Sequence, residues 1–219
     1  PLTEPDLVAA DGRIPAMAKL YFRYGAMNSG KSTALLQAAH NYEERDHEIL
    51  LAKPGVDTKA GRKILSRLGV DREVDFVIGA DDGVLDLFCA MRHKRQTASG
   101  KDVSCLLIDE AQFLTPAQVD DLLRIAVVED VPVLCYGIRT DFLTAAFPGS
   151  QRLLEIAHSL EELKTICRCG RKAVFNARLV DGVPVFTGEQ VAIDGVEVSY
   201  ESRCAACYLE ASGGALGAR

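Results

Sequence analysis

Gly25-Ala26-Met27-Asn28-Ser29-Gly30-Lys31-Ser32 fills every fixed position of the phosphate-binding motif G-x-x-x-x-G-K-[ST]. It follows Lys19-Leu-Tyr-Phe-Arg-Tyr24, an aromatic strand-like run, and precedes Thr33-Ala-Leu-Leu-Gln-Ala-Ala-His40, which reads as helix. In that strand–loop–helix setting the motif has mechanical meaning. Backbone N–H groups at the helix start wrap a phosphate, Lys31 neutralises it, and the Ser32 hydroxyl can hold Mg²⁺. A glycine-rich turn that merely capped a helix would need neither the lysine nor the serine.

Downstream, apolar strands alternate with helical patterns. His47 to Lys53 reads as a strand running into the turn-rich Pro54-Gly55-Val56-Asp57-Thr58-Lys59, and residues 60–75, charged and of mixed pattern, as a mobile excursion. Phe76 to Gly79 reads as a short strand, 83–97 as a helix, Val103 to Ile108 as a buried strand, and Val131 to Tyr136 as another. Thr115-Pro116 opens a helix through Val128, and a further helix is expected from Ser150 to His158. Continuous apolar strands between helices predict an α/β fold, a parallel sheet covered on both faces. From Thr165 the texture changes to short strands, Asp-Gly turns (Asp181-Gly182, Asp194-Gly195) and cysteine pairs. The expected organisation is therefore an extension over 1–16, disordered or left from cloning, a nucleotide-binding domain over 17–164, a small annex over 165–208 and a tail over 209–219.

The chain has 219 residues and a net charge of −6, with no sustained basic stripe, which argues against a protein that grips nucleic acid. No apolar run is long enough to cross a membrane and no signal-peptide pattern opens the chain, so the cytoplasm is the default location. Of seven cysteines, Cys89, Cys105 and Cys135 sit alone in apolar segments and read as buried small hydrophobes.

Two further patterns carry chemistry. Leu106-Leu-Ile-Asp109-Glu110 is an apolar strand ending in two acids. In nucleoside triphosphate enzymes such an Asp faces the phosphate loop and supports Mg²⁺, and an adjacent acid can accept a proton from water or a substrate hydroxyl. Cys167-Arg-Cys169-Gly170 and Cys204-Ala-Ala-Cys207 look like two metal knuckles. Four thiolates give the closed tetrahedral shell of structural zinc, which leaves no open position for catalysis.

Together these motifs resemble the type II, cytosolic-type thymidine kinases, most closely the bacterial branch. The resemblance spans about residues 18–208. It rests on Gly25 to Thr33, on Asp109-Glu110-Ala111-Gln112-Phe113, on Tyr136-Gly-Ile138-Arg-Thr-Asp-Phe142 with Phe147-Pro-Gly-Ser150, on Lys164 to Lys172, and on the final Cys-x-x-Cys. It implies a P-loop, RecA-like sheet with a zinc annex carrying a lasso loop, and transfer of the ATP γ-phosphate to thymidine, with deoxyuridine also accepted. Gly25 to Ser32 with Asp109 to Gln112 would hold ATP, Ser32 and Asp109 would support Mg²⁺, and Glu110 would be the base. The nucleoside would meet Met27, Asp57, Phe113, Ile138, Phe142, Phe147, Asn176, Arg178 and Tyr200, and a lasso formed by Gln190, Val191, Ala192, Ile193 and Asp194. The resemblance also implies inhibition by dTTP and a homotetramer. Lys59 stands where the family often has Arg, and Asp194 where the lasso usually has Gly.

From the motifs alone, rivals stay open. One is a helicase- or recombinase-type ATPase with a zinc ribbon, since Asp-Glu-Ala-Gln also occurs in helicases. Another is a nucleotide-dependent switch. Because the phosphate loop and the annex fall in different expected domains, loss of the annex is expected to affect thymidine more than ATP.

Overall fold

The computed structural model describes residues 17–56, 61–67, 69–188 and 198–216. In chain order the elements are β1 (Leu20–Tyr24), α1 (Lys31–Glu43), β2 (Glu48–Pro54), β3 (Lys63–Leu65), β4 (Asp71–Glu73), β5 (Phe76–Ile78), α2 (Val84–Ser99), β6 (Val103–Ile108), α3 (Pro116–Val128), β7 (Val133–Gly137), α4 (Pro148–Ile156) and β8 (Ser159–Glu162). There follow β9 (Thr165–Ile166), β10 (Lys172–Ala173), β11 (Phe175–Val180), β12 (Val183–Val185), β13 (Val198–Arg203) and α5 (Ala205–Ala211).

Six strands form one sheet in the order β5-β2-β6-β7-β1-β8, and every pairing in it is parallel. Alternate residues of each strand leave for opposite faces. Leu20, Phe22, Leu50, Ala52, Leu106, Ile108, Val133 and Cys135 join one cluster, with Phe88 of α2, Leu122 of α3 and Leu153 of α4. Ile49, Leu51, Cys105, Leu107, Leu134 and Tyr136 join the other, with Leu35 and Ala39 of α1. Both faces are covered, which is why the strands read as unbroken apolar runs.

Local signals account for the boundaries. Thr115 caps α3 through a reciprocal pair: the Gln118 N–H donates to the Thr115 hydroxyl at 3.2 Å, and the Thr115 N–H donates to Gln118 Oε1 at 3.0 Å. Helix α4 begins at Pro148, earlier than Ser150, because proline at a first helical position lacks only an N–H that would have no helical partner. Gly149 lets this helix start touch the backbone after β6, since a Cβ there would lie 2.6 Å from the carbonyls of Ala111 and Leu114.

The sequence reading needs three corrections. Residues 61–67 and 69–75, expected as a mobile excursion of mixed pattern, contain regular structure. They form the β3–β4 hairpin, whose Ile64 enters the core with Val74 beside it. The edge strand β8 was not expected, because its exposed Leu160 and two acids carry no apolar run, and among the described residues it pairs only with β1. Cys89 is exposed, one position past the inward Phe88, whereas Cys105 and Cys135 are buried.

Beyond β8 the chain builds small antiparallel sheets, β9 with β10 and β12-β11-β13, and α5 continues to Ala211, into the expected tail. Asp181 and Gly182 both take positive φ, 49° and 78°, the conformation that a two-residue hairpin turn requires. Residues 1–16 and the Asp194-Gly195 turn lie outside the described residues.

Candidate active site

In a parallel sheet all strands end on one edge, and the order β6-β7-β1 places three such ends side by side. From β1 comes the glycine-rich loop, from β6 the Asp109-Glu110 pair, from β7 Gly137-Ile138. They border a cavity of about 690 Å³ lined by Met27, Asn28, Gly30, Lys31, Ser32, Thr33, Ala34, Gln37, Leu65, Arg67, Glu110 and Ile138.

The loop is held by its own geometry. Gly30, at φ 79°, turns the chain into α1 with no side-chain cap, so the first helical N–H groups stay available. Gly25 is required by packing, for a Cβ would lie 2.5 Å from the Leu163 carbonyl. The Lys31 ammonium, 8% exposed, donates to the Ala26 carbonyl at 2.9 Å and more weakly to Ser29 Oγ at 3.4 Å. Burial pulls its pKa down, and the charges of Glu110 and Asp109 oppose that.

The Ser32 hydroxyl donates to Asp109 Oδ2 at 3.1 Å, so the helix start and the end of β6 meet as the motifs require. Burial first, and the neighbouring charge of Glu110 second, push the Asp109 carboxyl up to about 7. A divalent cation here would reverse both effects, and a hydroxyl beside a carboxylate is an oxygen donor set suited to Mg²⁺.

Glu110 follows Asp109 directly and lines the cavity. Its backbone is left-handed, φ 50°, a strained conformation for this residue type. Gln112, 1% exposed, locks it: the Ile138 N–H donates to Gln112 Oε1 at 3.2 Å, and Gln112 Nε2 donates to Glu110 Oε2. Gly137 makes room, since a Cβ would lie 2.7 Å from Gln112 Oε1. Gln112 thus lies beneath the carboxylate instead of lining the cavity.

The expected nucleoside residues divide. Phe113 and Phe147 pack edge to face with centroids 5.5 Å apart, and Ile138, Phe142 and Phe147 are buried. Arg178 stacks on Phe142 at 3.6 Å, and its Nε donates to the Tyr200 hydroxyl at 3.1 Å. Asn176 accepts the Met27 N–H at 2.7 Å and donates to the Thr140 carbonyl at 3.1 Å, while the Ser202 hydroxyl donates to the Met27 carbonyl. Both backbone groups of Met27 are therefore tied to the β11–β13 sheet, and the annex grips the glycine-rich loop directly. Asp57, Gln190, Val191, Ala192, Ile193 and Asp194 lie outside the described residues. Arg67 was missed in the sequence, because a lone arginine in a charged segment carries no signal of the cavity that its hairpin reaches.

Cys167, Cys169, Cys204 and Cys207 bring their sulfurs within 4.8 Å of one another. Four sulfurs about 2.3 Å from one ion fall within that spread, so the set fits zinc. Gly170, at φ 82°, turns the first knuckle, and Cys204 caps α5. Backbone N–H groups of Cys169 and Cys204 hold the Cys167 thiol down at about 6, whereas neighbouring thiols, Cys169 foremost, push Cys207 up to about 12. A central cation would let all four ionise together.

A buried cation beside a hydroxyl–carboxylate pair, with a second carboxylate at the same cavity of a parallel α/β sheet, is the arrangement of the phosphate-loop α/β proteins. Within that class, the family model for thymidine kinase matches residues 18–208, and the chain belongs to the thymidine kinase family. It is similar to the thymidine kinase of Idiomarina loihiensis, 48% identical over 200 residues that cover 90% of this chain and 99% of that protein. It is also similar to that of Enterobacteria phage T4, 46% identical over 86% of this chain and 94% of the relative. For the Chromobacterium violaceum enzyme the figures are 46%, 88% and 98%.

Proposed function

We propose that the chain transfers the γ-phosphoryl group of ATP to the 5′-hydroxyl of thymidine, and of deoxyuridine, giving the 5′-monophosphate and ADP. The observation that carries this is the Ser32–Asp109 contact at 3.1 Å, with Lys31 and Glu110 on one cavity. Phosphoryl transfer needs positioning and charge stabilisation more than covalent chemistry. Residues Gly25 to Gly30 cradle the triphosphate through backbone N–H groups, and Lys31 turns its ammonium from the loop carbonyls to the phosphates. Ser32 and Asp109 would hold Mg²⁺, which supplies charge to the phosphate oxygens. Glu110 accepts the 5′-hydroxyl proton as the new O–P bond forms and the β–γ bridge breaks, with ADP leaving.

The nucleoside lies against Met27, Phe113, Ile138, Phe142, Phe147 and Tyr200, with Arg178 stacked behind Phe142. By resemblance to the family, Asp57 and the Gln190–Asp194 segment, which lie outside the described residues, would also contact the nucleoside and help to exclude water from the transfer. One zinc ion on the four cysteines orders the annex. Inhibition by dTTP, a homotetramer and a cytoplasmic setting belong to the same proposal, supported by family membership. Incubation with Mg-ATP and a panel of nucleosides tests it. Monophosphates of thymidine and deoxyuridine are expected, without those of purine deoxynucleosides. ATP hydrolysis stimulated by nucleic acid, with no nucleotide product, would point to a motor-type ATPase instead.

A further inference from the structure

The β3–β4 hairpin adds Leu65 and Arg67 to the cavity that Lys31 and Glu110 line. Its body is firmly set. Lys63 pairs with Asp71 across it at 2.7 Å, and the Ser66 N–H closes the tip on the Val70 carbonyl at 2.8 Å. Arg72 reaches Glu43 near the end of α1 through both guanidinium arms, at 2.6 and 2.5 Å, and Ile64 is buried beside Leu35 of the same helix. The hairpin is thus fastened to the helix that starts at Lys31.

Arg67 itself is exposed, and makes no hydrogen bond or ion pair among the described residues. It lines the same cavity as Lys31. Two cations brought to one cavity repel each other unless a polyanion lies between them. A planar, always-charged guanidinium is suited to paired phosphate oxygens.

We propose that Arg67 is a further catalytic residue, a guanidinium supplied by the hairpin that contacts the transferred phosphoryl group and stabilises its charge during transfer. This rests on the cavity being the triphosphate site. An arginine in that role is worth about 10³-fold or more in kcat, and as a point charge lysine replaces its paired contacts only in part.

The experiment compares Arg67→Ala and Arg67→Lys with the unaltered chain, reading kcat and KM for ATP and thymidine, and the melting temperature. The expected result for Arg67→Ala is a fall in kcat of about 10³-fold, with thymidine KM and melting temperature little changed. Arg67→Lys should lie between, and added guanidinium ion should restore part of the Arg67→Ala rate. A kcat for Arg67→Ala within about threefold of the unaltered chain overturns the proposal, even if ATP KM rises, because the interaction would then not belong to the transition state. Parallel loss of thymidine affinity and melting temperature also overturns it, in favour of a structural role. If the unaltered chain makes no thymidine monophosphate, the parent reading fails, separately from Arg67.

Discussion

Asp109 and Glu110 are chemically similar neighbours with opposite settings. Asp109 is buried against Ser32, whereas Glu110 has a left-handed backbone, lines the cavity and is held by Gln112. Glu110→Gln keeps the shape and removes the proposed base, so under the proposed mechanism ATP and thymidine affinities should persist while kcat falls by about 10²–10⁴. Equilibrium titration beside steady-state rates checks this. Asp109, whose folded pKa of about 7 lies above the ordinary carboxylate value, costs stability when ionised. The cost is absent at acid pH, grows as pH rises, and is full above that folded pKa. Asp109→Asn should therefore raise the melting temperature of the metal-free protein at pH 8 more than at pH 5, while lowering activity. Scanning calorimetry at the two pH values reads the difference. The acids and the loop residues were legible in sequence because their spacing is fixed by one strand end and one helix start. The contact of Gln112 with Glu110 was not, since its other partner, the Ile138 N–H, lies just past the end of a different strand, β7.

The elements that sequence reading misjudged are those whose stability comes from a neighbour. The β3–β4 hairpin is too short to show a period, and β8 is an edge strand with exposed, acidic side chains. Both exist because a packed surface or a paired strand receives them. The annex teaches the same lesson about function. Its cysteine knuckles were readable, but its hold on Met27 through Asn176 and Ser202 depends on side chains folding back across the chain. The sequence reading expected the annex to matter more for thymidine than for ATP; these contacts to Met27 tie it to the glycine-rich loop as well. Asn176→Ala leaves the Met27 N–H and the Thr140 carbonyl without these partners, a loss of about 1–3 kcal/mol. It should weaken ATP binding by about tenfold or more, as measured by titration calorimetry. Removing metal with a chelator, or Cys204→Ser, should weaken ATP and thymidine binding together, and metal analysis of the intact chain should find about one zinc per chain. Unchanged ATP affinity after chelation would detach the annex from the loop.

At the scale of the whole molecule, strand order does the assembling. The first strand inserts between β7 and β8, so that its loop stands next to the ends of β7 and β6, although β6 lies far along the chain. The α/β class followed from strand–helix alternation, whereas this order did not, because short apolar strands do not specify their neighbours. What the order achieves is one cavity lined by both the glycine-rich loop and Glu110. The central claim is coupled transfer, and the direct measurement uses γ-labelled ATP with thymidine, following label in the nucleoside monophosphate against ADP released. The account predicts that label appears in thymidine monophosphate, one for each ADP formed, with little release of free phosphate. ADP and free phosphate accumulating without labelled thymidine monophosphate would contradict it.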